Sequence, residues 1–161
     1  RPFYRQMTQL GVDALVVVDA WLLKFEGIRR KVANDHGFFA LVGGFEYTHV
    51  GVLDSVYDIG WLMEYQYDER NESLVTFAQN DLMFATRLAL NDTDGTEILI
   101  GYIQDLDKAS VRSGFVEASS RINNNWKWRL DARLFASDKP TEPTYIVRQD
   151  DYIQLSLEYY F

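Results

Sequence analysis

His49, Asp54, Ser55 and Asp58 lie close together in the chain, and a histidine, a serine and a carboxylate are the parts of a Ser-His-acid nucleophile. The flanking residues do not support that chemistry. Ser55 has no glycine-flanked nucleophile elbow, and His49-Val-Gly51 lacks the His-then-Ser pattern of membrane phospholipases. His36 stands alone in a loop-like stretch. The sequence therefore predicts no enzyme. Carboxylates gather at Asp68, Glu69 and Glu72, at Asp105 and Asp107, and at Asp150 and Asp151. Their spacing fits no EF-hand or zinc motif, so they read as solvated loop acids, and no metal or other cofactor is expected. A weaker expectation is that they share divalent cations with lipopolysaccharide phosphates. Asp92-Thr-Asp-Gly95 has a slight calcium-loop look but reads better as a turn. The remaining chemistry-bearing residues are charges set at every second position, as in Lys127, Arg129, Asp131 and Arg133.

Such spacing calls for strands. Alternation of apolar and polar residues is the mark of a strand with two unlike faces. It recurs in segments 6–17, 21–30, 38–50, 59–68, 82–91, 96–105, 110–122, 126–136 and 151–161, whereas helical periodicity is weak throughout. The segment 126–136 is the clearest: Trp126, Trp128, Leu130, Ala132 and Leu134 oppose Lys127, Arg129, Asp131 and Arg133. Short turns rich in Asn, Asp and Gly suit tight hairpins; 18–20, 91–95 and 123–125 are of this kind, and 53–58 joins the series. Longer connections alternate with them at 33–37, 68–81, 104–110 and 137–149, the last holding Pro140 and Pro143. The expectation is a single all-β domain over 1–161, an antiparallel up-and-down meander of about eight to nine strands, with short turns on one rim and long loops on the other.

Composition narrows the class. Of 161 residues, 47% are hydrophobic and 15% aromatic, yet apolar runs such as Ala14 to Val18 fall far short of the roughly 20 residues of a membrane helix. A transmembrane β-barrel escapes this test, because its lipid-facing residues alternate with polar ones. The net charge of −8 and the lack of a basic stripe argue against a nucleic-acid partner. Cysteine is absent, which rules out disulfides and thiolate sites. The chain opens on Arg1 rather than Met, so it is expected to be a mature product or a fragment.

Alternation does not say which face is inside. Two physical points favour an apolar exterior. Nearly every strand contributes bulky apolar residues to one face, more than the interior of a small barrel holds. Aromatics also sort to the strand ends. Running back from Phe161, Trp21, Trp61 and Trp126 begin strands at the rim where Tyr47, Tyr159 and Phe161 end theirs. Phe39, Tyr65, Tyr67, Phe135 and Tyr152 sit at the other rim, with Phe135 and Tyr152 out of parity. Two aromatic belts around an aliphatic middle match membrane interfaces. The polar face, with Lys24, Glu26, Arg30, Glu46, Glu64, Arg87, Glu117, Arg121, Lys127, Arg129, Asp131, Arg133 and Glu158, is then expected to line a lumen. There it either braces the wall or forms a permeation path that the 127–133 strip tilts modestly toward anions.

The last strand, Asp151-Tyr-Ile-Gln-Leu-Ser-Leu-Glu-Tyr-Tyr-Phe161, resembles the closing strand of bacterial outer-membrane barrels, whose assembly machinery reads a C-terminal aromatic. Further stretches resemble the C-terminal part of an uncharacterised proteobacterial outer-membrane, porin-like family: 20–26, Phe45-Glu-Tyr-Thr-His49, Asn80-Asp81, 87–92, Glu117-Ala-Ser-Ser-Arg121, 132–135 and 150–155. That resemblance covers most of the chain and implies a barrel in the bacterial outer membrane, among lipid and lipopolysaccharide, with no catalytic or ligand residues to carry over. Nine strands are an odd number for such a barrel, so either one is miscounted, with 1–17 contributing something other than a strand, or, as the lining favours, other strands, upstream or from another chain, complete it. The functional expectation is a passive porin-like channel for small polar or ionic solutes. The alternatives are a non-conducting structural or interaction barrel and, third, a soluble β-barrel or sandwich.

Overall fold

The computed structural model describes residues 6–33, 36–70 and 79–161. They form one nine-stranded sheet: β1 (Met7–Val18), β2 (Trp21–Val32), β3 (Phe38–His49), β4 (Asp58–Asp68), β5 (Asn80–Ala89), β6 (Glu97–Asp105), β7 (Arg112–Arg121), β8 (Trp126–Ala136) and β9 (Tyr152–Tyr159). Each strand pairs antiparallel with its neighbour in sequence, in the order β1 to β9. The up-and-down meander expected from alternation is present. The sheet is open: β1 and β9 are its two edges and do not pair.

The turns are made by residues that tolerate a left-handed backbone. Asp19, between β1 and β2, has φ 52°, and Gly95, between β5 and β6, has φ 62°. Asp92 Oδ1 accepts the Thr96 amide at 2.8 Å, closing that turn as the sequence suggests. The contrast between rims is weaker than expected. Connections 19–20 and 122–125 are short, and 69–79 and 137–151 are long, but 50–57 exceeds both 33–37 and 106–111. The reason for the length of 50–57 is a 3₁₀ turn at Val52–Asp54, with Leu53 and Asp54 both at positive φ. One boundary also moves. Asn80 and Asp81 belong to β5 rather than to a loop, because Asp81 is in register with Gln66 and with Asp105.

Register assigns every strand to two faces. Leu15, Lys24, Gly44, Glu64 and Met83 succeed one another across β1 to β5 on one face, and Trp21, Tyr47 and Trp61 across β2 to β4 on the other. The distribution of burial is the reverse of a soluble protein's. Among the described residues the buried apolar side chains are Ala85 and Val111, whereas Glu64, Asp68, Asp81 and Asp105 are all buried. The apolar face is the exposed one, with Leu10 and Leu155 each 71% open and Trp21 44%. No second sheet covers it among the described residues, so no sandwich core forms.

Candidate functional site: the polar face of the sheet

The polar face is curled tightly enough that side chains on next-but-one strands meet. Lys24 of β2 forms an ion pair with Glu64 of β4, passing over Gly44 of β3, which is in register with both. A Cβ on Gly44 would run into the Met63 carbonyl oxygen and come within 3.0 Å of Glu64 Cα. Gln66 Nε2 donates to the other Glu64 oxygen at 2.6 Å. One step along, Arg87 of β5 donates to Glu46 of β3 at 2.5 Å across Gly60 of β4. A Cβ at Gly60 would lie 3.4 Å from Glu46 Oε1 and 3.6 Å from Arg87 Nε. Gly101 of β6 is likewise covered by the ring of Phe115 from β7. Gly44 and Gly60 thus stand on the middle strand where the two ion pairs cross it.

Further round the sheet, Arg133 bonds Glu117 at 2.6 Å and Asp131 at 2.9 Å, with its guanidinium 5.1 Å from the Phe115 ring centroid. Arg129 pairs with Glu158 at 2.8 Å, and Tyr160 Oη donates to the second Glu158 oxygen at 2.6 Å. Arg30 donates to Gln9 of the edge strand at 2.7 Å. Glu26, Arg121 and Lys127 make no ion pair among the described residues. All thirteen charged positions expected on this face lie in strands whose register puts them there. Register adds Asp68, which alternation in 59–68 already sets opposite the apolar residues, and Asp13, Asp58, Asp81, Glu97 and Asp105, which sequence reasoning missed because they sit at strand ends or in strands with blurred alternation. Carboxylates therefore outnumber cations on this face. The expected basic strip is largely neutralised, since Arg129 and Arg133 are both paired.

The apolar face carries most of the expected belts. Trp21 packs on Tyr47 with ring centroids 4.7 Å apart, Trp126 on Tyr159 at 4.9 Å, and Tyr159 on Phe161 at 5.9 Å. Trp61 stacks on Phe84 at 6.1 Å. At the opposite rim Phe39 and Tyr67 are 5.2 Å apart, and Tyr65 Oη donates to Asn80 at 2.9 Å. Phe135 and Tyr152 do not belong there. Register puts Phe135 with Ser113, and Tyr152 with Arg133, so both are on the polar face. Strand alternation fixes Phe135 in the phase of Arg133, and it faces an apolar seat beneath the β8–β9 connection. That connection carries a 3₁₀ turn, Pro143–Val147, whose Thr144 and Val147 join Gln66, Asp81, Ile103 and Phe135 around a cavity of about 340 Å³.

Glu142, absent from the sequence reading, anchors the connection. Its Oε1 accepts the Ser110 hydroxyl at 2.6 Å, and its Oε2 accepts the Ser137 hydroxyl at 2.6 Å and the amides of Asp138 and Lys139 at 2.9 and 3.0 Å. The Ser110 and Ser137 hydroxyls, with the two amides, hold its carboxyl down to about 2.

The residues weighed for catalysis are built into turns. Ser55 Oγ donates to the Val52 carbonyl at 2.6 Å and accepts the Tyr57 amide at 3.1 Å. Asp58 accepts the Gly51 amide at 2.9 Å and Asn91 Nδ2 at 2.8 Å. His49 ends β3 on the apolar face, in register with Ile59. The loop acids act in the same way: Asp105 Oδ1 accepts the amides of Asp107 and Lys108, both at 2.8 Å, and Asp151 accepts that of Phe135 at 2.8 Å. Glu72 lies outside the described residues. No group of three or more potential metal ligands converges among the described residues. No helix in them is long and apolar enough to cross a membrane, a test that does not bear on strands. No protein-family model, curated protein or solved structure matches this chain.

Proposed function

We propose that this chain is part of an outer-membrane β-barrel that acts as a passive channel for small polar or ionic solutes. One observation carries the reading: an up-and-down sheet with charged residues on its enclosed face and apolar residues on its open face. In water, that much exposed apolar surface is a liability. In a bilayer it is the required exterior, and the curled polar face becomes the wall of an aqueous path. The two open edges must then be paired, because unpaired backbone groups have no partners in hydrocarbon. β1 and β9 run in the same direction, being the first and ninth strands of an alternating series. Antiparallel closure therefore needs an odd number of further strands, from another segment or another chain. The C-terminal run Leu155, Leu157, Tyr159 and Phe161 is the feature an assembly machine would read. Acidic rim residues such as Asp107 and Asp150 are the groups that would share divalent cations with lipopolysaccharide.

Because carboxylates outnumber cations on the polar face, the channel favours cations rather than anions. Planar-bilayer recording tests this. The expected result is discrete conductance steps with a reversal potential displaced toward cations; a folded, inserted protein that gives no steps contradicts conduction. That negative result would favour a second reading, a non-conducting interaction barrel. The cross-strand ion pairs and the inward β8–β9 connection, both of which fill the interior, are the observations behind it.

A further inference from the structure

The longest described connection of the sheet, 137–151 between β8 and β9, folds back over the polar face instead of extending away from the rim. Thr144 and Val147 share one cavity with Gln66 of β4, Asp81 of β5, Ile103 of β6 and Phe135 of β8. A segment that touches the same space as four strands of wall lies over the face, not beside it. Two independent features hold it there. The first is apolar: Val147 lines the same cavity as Ile103, Phe135 and the buried Val111, an apolar seat beside the charged positions of this face. The second is polar: Glu142, only 6% exposed, gathers four donors, one of which comes from Ser110 in the separate β6–β7 connection. Asp151 closes the return by accepting the Phe135 amide, and Arg148 Nη1 donates to the Tyr145 carbonyl at 2.6 Å. A proline, Pro143, stands at the start of the 3₁₀ turn.

We infer that the β8–β9 connection is a fixed internal constriction of the path, with Glu142 as its anchor and Phe135 as its seat. The inference rests on the channel reading and adds to it the element that sets the size of the solute. A buried carboxylate whose oxygens are met by two hydroxyls and two amides has little to gain by leaving, so the connection narrows the path permanently and is no flickering lid.

The test compares the wild-type protein, Glu142→Ala, and a variant in which 138–150 is replaced by a short Asn-Gly turn. Each is first shown to be folded by heat-modifiable gel mobility, then recorded in planar bilayers and examined by amide exchange. The shortened variant is expected to conduct at least about twofold more than wild type and to pass larger neutral polymers. In Glu142→Ala, exchange at Asp138 and Lys139 is expected to rise by about tenfold or more, because both amides lose their acceptor. A conducting wild type with an equally conducting shortened variant overturns the constriction and leaves the channel reading intact. A silent wild type whose shortened variant conducts supports the constriction in its extreme form, a plug, and corrects the channel reading. Silence in every folded variant overturns both. Unchanged exchange in Glu142→Ala overturns the anchor.

Discussion

Gly44 shows how a single residue sets the character of the polar face. Lys24 and Glu64 belong to strands separated by β3, and they pair because the strand between them presents no side chain. Gly44→Ala forces a Cβ against the Met63 carbonyl oxygen, a backbone atom that cannot swing aside as a flexible side chain can. The expected cost is about 1–3 kcal/mol, read as a lower urea midpoint for unfolding in lipid vesicles. An unchanged midpoint would mean that β3 and β4 do not approach so closely. Glu142 supplies a second residue-scale prediction. Its carboxyl titrates near 2 in the folded protein against an ordinary 4.5, so its contribution is fully present above the ordinary value and is lost as pH falls through about 2. Amide protection at Asp138 and Lys139, corrected for intrinsic exchange, should hold at pH 4 and disappear only as pH nears 2. Loss of protection between pH 5 and 4 would contradict the four-donor geometry.

At the scale of elements, much was legible in the sequence, and for a simple reason. Strands such as β8 and β9 separate two unlike environments, and the period of two is written directly into Trp126 to Leu134 and Ile153 to Phe161. What was not legible lies where a third element intervenes. Phe135 is grouped with the belt although its spacing puts it in the polar phase of β8, and nothing in that spacing announces the Pro143–Val147 turn that shares its cavity. Glu142 sits in a polar, proline-bearing loop where a carboxylate looks solvated; only the tertiary approach of Ser110 and the Ser137 hydroxyl distinguishes it. Asp68, Asp81 and Asp105 read as loop acids because they stand at strand ends. The crossing glycines could have been found: Gly44 and Gly60 both occupy the polar phase of strands otherwise rich in large residues. The two faces of one element should also respond oppositely to charge. Leu130→Arg, on the apolar face of β8, is expected to destabilise the protein in vesicles by about 2–4 kcal/mol. Ser156→Arg, on the polar face of the neighbouring strand, should change it by less than about 1 kcal/mol. Equal costs would mean that the apolar face does not meet hydrocarbon.

At the scale of the whole molecule, the sheet is turned inside out and open at both edges. Its stability cannot come from a packed apolar interior, since the buried apolar side chains among the described residues are Ala85 and Val111. Cohesion comes instead from eight antiparallel ladders, from ion pairs that cross strands, and from whatever covers the apolar face. On the proposed reading a bilayer provides that cover, and an odd number of added strands would provide antiparallel closure. The most direct measurement of this account uses the absence of cysteine: single cysteines at positions 153 to 158 of β9 each carry one spin label, in protein reconstituted into lipid vesicles. Accessibility to oxygen, which partitions into lipid, should peak at Ile153, Leu155 and Leu157. Accessibility to a water-soluble nickel complex should peak at Gln154, Ser156 and Glu158. An alternation with a period of two and opposite phases for the two reagents is the predicted result. Nickel access that is uniform along the strand, or oxygen access no higher on the apolar positions than on the polar ones, would contradict it.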